Sequence, residues 1–211
     1  MPSNASRFSL LSSAVFWLIG AASLLVALTG RETGWVDNFR PWMRGHDVAT
    51  AVACLLIAAA AWSFRGHSGG VLVRPVAWLG TLGGITTALL LSLVFLSGAS
   101  DMLYMLPQGV IGLWVIAVSG RKPLSLGTGA RVVGFIAGIG LVLIAVGFVM
   151  IALALGPALL ALVDARSVAV DPADLASSMN SIGHLVLKAG SILGLPTYPI
   201  WAWFASRADA S

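Results

Sequence analysis

From 132 to 163 the chain carries no charged residue. A helix in water must present a polar face, whereas a run of this length without charge has a stable setting only in hydrocarbon, where about 20 mostly apolar residues span the bilayer core. Five further stretches approach the same length, so the segments read as membrane-crossing helices are 8–29, 48–64, 77–96, 102–119, 132–155 and 181–205. A transmembrane barrel would instead show alternating segments of about ten residues, which these continuous runs do not resemble. Charged residues make up 9% of the chain and hydrophobic ones 58%, against about 25% charged in a soluble domain. The predicted fold class is therefore all-α: a single domain, 1–211, forming an integral membrane bundle of six transmembrane helices.

The first apolar run follows Arg7 but is longer than the core of a signal peptide and lacks a small-x-small cleavage site. It reads as a retained helix. Two connections are long, 30–47 and 156–180, and with the N-terminus inside both are outer loops. The first holds Trp35 and Trp42 among charges and suggests a segment lying on the membrane or over the bundle. In the second, Asp171 as N-cap with Pro172 at the first helical position predicts a short separate helix. Gly156 and Pro157 mark the expected break or bend in the fifth helix.

Cytoplasmic loops are enriched in Lys and Arg. With the N-terminus inside, Arg7, Arg65, Arg74, Arg121, Lys122, Arg131 and Arg207 are cytoplasmic, Arg31, Arg40, Arg44 and Arg166 are outside, and Lys188 lies within the last span. Both termini are thus predicted cytoplasmic, in the inner (plasma) membrane. The acids divide the other way, with only Asp209 inside. Trp62, Trp78, Trp201 and Trp203 then fall near the cytoplasmic boundary, as in an interfacial aromatic belt. The net charge of +4 belongs to this membrane topology and implies no nucleic-acid partner.

Polar side chains inside a span are costly and mark function. Three helices carry them at i, i+3, i+7, on one face: Asp47, Thr50 and Cys54; Asp101, Tyr104 and Gln108; Ser181, His184 and Lys188. Together they suggest a polar pocket open to the outside, with His46, Asp47, Asp101, Tyr104, Gln108, His184 and Lys188 as ligand-binding residues and Lys188 as the deepest charge. Capping by Asp47 and Asp101 at helix N-termini is the alternative for those two. Pro107, Pro196 and Pro199 interrupt backbone bonding near membrane depth. Gly80 with Gly84, Gly134 with Gly138, and Gly190 with Gly194 have the small-xxx-small spacing of close helix contacts.

No phosphate-binding glycine loop, HExxH or CxxC motif occurs, and no metal or cofactor is expected. WMRGH at 42–46, GAS at 98–100 and a sixth-helix His followed by Gly190 and Gly194 give the chain an outline that resembles a rhomboid intramembrane protease. That resemblance implies Ser100 as nucleophile, His184 as base and His46 near an oxyanion. Asp101 and Leu187 stand where the rhomboid pattern has Gly. The C-terminal half, with GTGARVVGFIAGIGLVLIAVG and GLPTYPIWAWFASR, resembles uncharacterised multi-pass bacterial inner-membrane proteins. The functional expectation is a small-molecule binding or transport component, or a subunit of a membrane complex, partnered by lipid and by other membrane proteins or further copies of itself. A serine hydrolase and a purely structural subunit are the alternatives, with catalysis the less expected.

Overall fold

A computed structural model describes residues 4–33, 35–64, 73–97, 103–120, 126–163 and 172–208. Among them the chain is entirely helical, with no strand: α1 (Asn4–Thr33), α2 (Trp35–Phe64), α3 (Val73–Ser97), α4 (Met105–Ser119), α5 (Thr128–Val163) and α6 (Pro172–Ala208). Four helices contain stretches long and apolar enough to cross a membrane, at Asn4–Ala22, Gly45–Phe64, Arg74–Leu93 and Thr128–Ala154. α4 is shorter, at 15 residues. α6 is 37 residues long, but Lys188, Pro196, Thr197 and Pro199 dilute its apolar content.

Several helices run past the apolar segments that signal them. The region 30–47, expected as a loop, is helical up to Thr33 and again from Trp35. α5 passes through Gly156 and Pro157 without ending and reaches Val163; Pro removes one backbone bond but does not by itself end a helix. Pro172 is the first residue of α6 itself, so no separate short helix precedes it. Pro107 lies in the first turn of α4, where its missing N–H would have had no intrahelical acceptor. Pro196 and Pro199 do lie inside a continuous helix.

Each helix packs against its neighbours in sequence, and α6 closes back onto α1, making a ring whose helix backbones, among the described residues, come close only between neighbours around it. The most extensive interface is α5 with α6. Its cause is the absence of side chains. A Cβ added at Gly147 would lie 2.6 Å from the Leu187 backbone nitrogen, one at Gly190 would lie 2.6 Å from that of Ile144, and one at Gly140 would meet the Gly194 backbone. On α4 and α5, Gly112 and Gly138 meet in the same way, a Cβ on the first coming 2.6 Å from the Gly138 carbonyl oxygen. Gly84 lets α3 approach the Cys54 carbonyl of α2, at 2.5 Å from a notional Cβ. Lipid tails are as apolar as Leu, so helices gain little from hiding apolar surface from them; close backbone approach and dispersion do the work instead.

The ring is closed by hydrogen bonds. Ser13 Oγ donates to the Pro199 carbonyl at 2.7 Å, and Ser6 Oγ donates to the Ser206 carbonyl. The first turns of α1 therefore lie beside the last turns of α6, at one end of the bundle. Several other hydroxyls are satisfied within their own helices, as where Thr87 donates to the Gly83 carbonyl at 2.8 Å and Ser92 to the Ala88 carbonyl at 2.8 Å; away from water this back-bonding uses the nearest acceptor.

Gly190→Ala is expected to lower stability in detergent by about 1–3 kcal/mol through overpacking. Gly20→Ala, whose added methyl group meets nothing within 4 Å, is expected to be neutral or to stabilise by up to about 1 kcal/mol, since Ala is the better helix former. Unfolding titrations of both variants check this, and equal losses would contradict it.

Candidate functional site

The centre of the ring is filled by aromatic rings contributed from four helices. Phe64 of α2 lies 6.3 Å from Trp114 of α4, which meets Trp201 of α6 edge-on at 5.6 Å. Tyr198 continues the series 5.9 Å from Trp201, and Phe16 of α1 stands edge-on to Tyr198 at 5.3 Å. Edge-to-face pairs at such spacings add about 0.5–1.5 kcal/mol each beyond their burial. Trp201 is 1% exposed, so it belongs to this core and not to the interfacial belt expected of it. Space for it comes from Gly134 of α5, where a Cβ would come 2.5 Å from the indole Nε1. Trp62 and Trp78 are exposed and pack edge-on against each other at 5.1 Å.

Toward the other side of the aromatic series is a cavity of about 20 Å³, walled by Phe16, Cys54, Gln108, Leu141 and Tyr198 among others. Five of the six helices reach it. A water molecule requires about 10–15 Å³, so there is room for one. Gln108 and Tyr198 are the hydrogen-bonding residues among its lining, and the Tyr198 hydroxyl lies 3.5 Å from Ser12 Oγ. One turn from Cys54 along α2, Thr50 is buried with its hydroxyl unpartnered. Ser119 Oγ and the indole nitrogens of Trp114 and Trp201 are likewise buried without partners.

Of the three polar stripes, two turn inward. Thr50 and Cys54 are buried on α2, and Gln108 on α4 faces the same cavity as Cys54. Tyr104 immediately precedes α4 and packs against the core. The third stripe is oriented otherwise: Ser181, His184 and Lys188 are exposed, and the α6 backbone lies against α5 and α1, meeting α4 through the Trp201 ring and not through this stripe. Gly183, Leu187, Gly190 and Gly194 occupy the side of α6 that meets α5, and His184 and Lys188 each lie one residue further around the helix. Near the start of the α2 apolar stretch, His46 Nδ1 is 3.4 Å from Asp47 Oδ1, both side chains being partly buried. Asp101 and Ser100 lie outside the described residues, as does Asp171.

Sequence reasoning missed the buried serines Ser6, Ser9, Ser12 and Ser13 of α1. Ser6, Ser9 and Ser13 have the same i, i+3, i+7 spacing as the other stripes, and that spacing was the available signal. It also missed Gly140, Gly147 and Gly183, whose seven-residue separations (140 to 147, 183 to 190) match across α5 and α6.

Among the described residues no group of three or more His, Cys, Asp or Glu side chains could hold a metal ion. The class of protein these observations define is an all-helical bundle with an apolar exterior, four of whose helices can cross a membrane. Comparison of the chain with family models, with curated proteins and with solved structures gives no match.

Cys54, buried at the wall of the central cavity, is expected to react with N-ethylmaleimide about tenfold or more slowly in the folded protein than after unfolding in SDS, because thiol modification needs access. Equal rates would mean that the ring interior opens freely to solvent.

Proposed function

We propose that this protein crosses the inner membrane six times with both termini cytoplasmic, and acts there as a subunit of a membrane complex. The observation that carries this reading is the outward face of α6. Lys188 and His184 are one turn apart on it, flanked by the most exposed apolar side chains of that helix, Leu185 at 69% and Ile192 at 72%. Leu187 abuts Gly147, so Lys188 lies level with the Thr128–Ala154 stretch of α5 that is long and apolar enough to cross a bilayer. An ionisable group exposed at that depth faces a cost of several kcal/mol in lipid unless it snorkels or finds a partner.

Among the described residues no carboxylate pairs with Lys188. The partner that suits this face is a membrane helix presenting an Asp or Glu at matching depth, which would satisfy the ammonium, with the imidazole as a second donor or acceptor. The central cavity supports small-molecule transport less well, having room for about one water.

A photo-reactive amino acid placed at Leu185 or Ile192 is expected to cross-link a second protein chain in native membranes, and the Lys188→Leu change to remove that product. The same probe at Leu89, an exposed α3 position at 58%, is expected to give none. Absence of protein cross-links from Leu185 and Ile192, or equal yields at Leu89, would contradict the proposal.

A further inference from the structure

At the end of the bundle where α1 and α6 meet, the outer surface carries a groove of about 460 Å³. It is lined by Leu10, Ser13, Ala14 and Trp17 on α1 and Ile200 and Trp203 on α6. The volume lies within the 300–1,000 Å³ usual for ligand sites. Ser13 Oγ is already committed to the Pro199 carbonyl, so the groove offers an incoming molecule apolar surface and almost no free polar group.

Beyond the groove lining, each helix carries an arginine on the same face. On α1 the groove face reads Arg7, Leu10, Ala14, Trp17, and on α6 Ile200, Trp203, Arg207, in each case at three- and four-residue steps that keep one face of the helix. The bond from Ser6 to the Ser206 carbonyl sets Arg7 and Arg207, the next residue in each helix, at the same level. Arg207 is held in place, its guanidinium carbon 4.0 Å from the centre of the Trp203 ring, a stacked geometry typical of Arg on Trp. Both arginines are exposed and neither is in an ion pair among the described residues.

An apolar channel running along the membrane-facing surface and capped by two cations matches an amphiphile with hydrocarbon tails and an anionic head. We infer that the α1/α6 groove is a binding site for an anionic glycerophospholipid: an acyl chain lies between Trp17 and Trp203, and Arg7 and Arg207 take the phosphate. Arg suits this role because its planar fork donates two hydrogen bonds to phosphate oxygens at once. Basic pockets between membrane helices recognise anionic headgroups by this chemistry. The inference rests on the membrane reading of the bundle but not on any protein partner at His184 and Lys188, so the two fail separately.

Native mass spectrometry of the full chain, released from detergent with equimolar phosphatidylglycerol or phosphatidylcholine, tests it. The expected result is retention of phosphatidylglycerol about tenfold or more over phosphatidylcholine, because only the former keeps a net negative charge for the two arginines. R7Q/R207Q is expected to lose that preference while unfolding at the wild-type temperature, and R74Q, which changes an exposed arginine on α3, is expected to keep it. Ala14→Phe, which fills the groove and leaves both arginines, is expected to reduce retention of either lipid. Equal retention of the two lipids by the wild type, a preference that survives R7Q/R207Q or is lost equally in R74Q, or full retention by Ala14→Phe would overturn the assignment.

Discussion

Backbone-to-backbone approach at glycine is the constraint on which the rest of this bundle depends. Where Gly140 meets Gly194, and Gly147 meets Gly183 and Leu187, α5 and α6 come so close that a single methyl group would strike main-chain atoms. Those contacts decide the rotation of α6 about its own axis. With Gly183, Gly190 and Gly194 turned to α5, Tyr198 and Trp201 are delivered to the ring interior, and His184 and Lys188 are left outside. One packing choice thus places the aromatic core, the walls of the central cavity and the exposed cation together.

Polar groups buried away from water must find partners locally, and the two sides of the ring meet that demand differently. Around α1 and α6, serine hydroxyls reach across to carbonyls near Pro199 and Ser206 and so act as fasteners between helices. Interhelical bonds of this kind in membranes average about 0.6 kcal/mol, modest singly but directional, and here they select which helix closes the ring. At the centre, Trp114, Trp201 and Ser119 bury polar atoms without partners. Each such group costs about 1–3 kcal/mol when left unmade, so the aromatic contacts and close packing around Gly134 must outweigh them for this arrangement to persist.

The six helices were legible in the sequence because uncharged length and apolar continuity follow directly from the thickness of hydrocarbon. Helix ends were less so: apolar length reports the membrane, not the helix, so the charged residues on either side of Gly34 remain helical without being apolar, and α5 continues past Pro157, where a break was expected. For side-chain direction, polarity was a sufficient guide on α2 and α4, where Thr50, Cys54 and Gln108 turn inward. On α6 polar and small residues made competing claims to the inward face. Glycine prevailed because close packing tolerates nothing larger, while a long Lys side chain has the option of reaching toward an interface. Trp201 was misjudged for a related reason: proximity to a helix end suggested an interfacial ring, but the missing side chain at Gly134 admits it to the core.

The central claim is that α6 closes the ring against α1 with its glycine face turned to α5. Disulfide cross-linking of Ser6→Cys with Ser206→Cys in a Cys54→Ala background reports on that closure directly, since a bridge requires Cα atoms within about 7 Å. Closure predicts rapid formation of an intramolecular disulfide in intact membranes under mild oxidant, with no such product from either single-cysteine chain. A folded double-cysteine protein that forms no intramolecular bridge would contradict it.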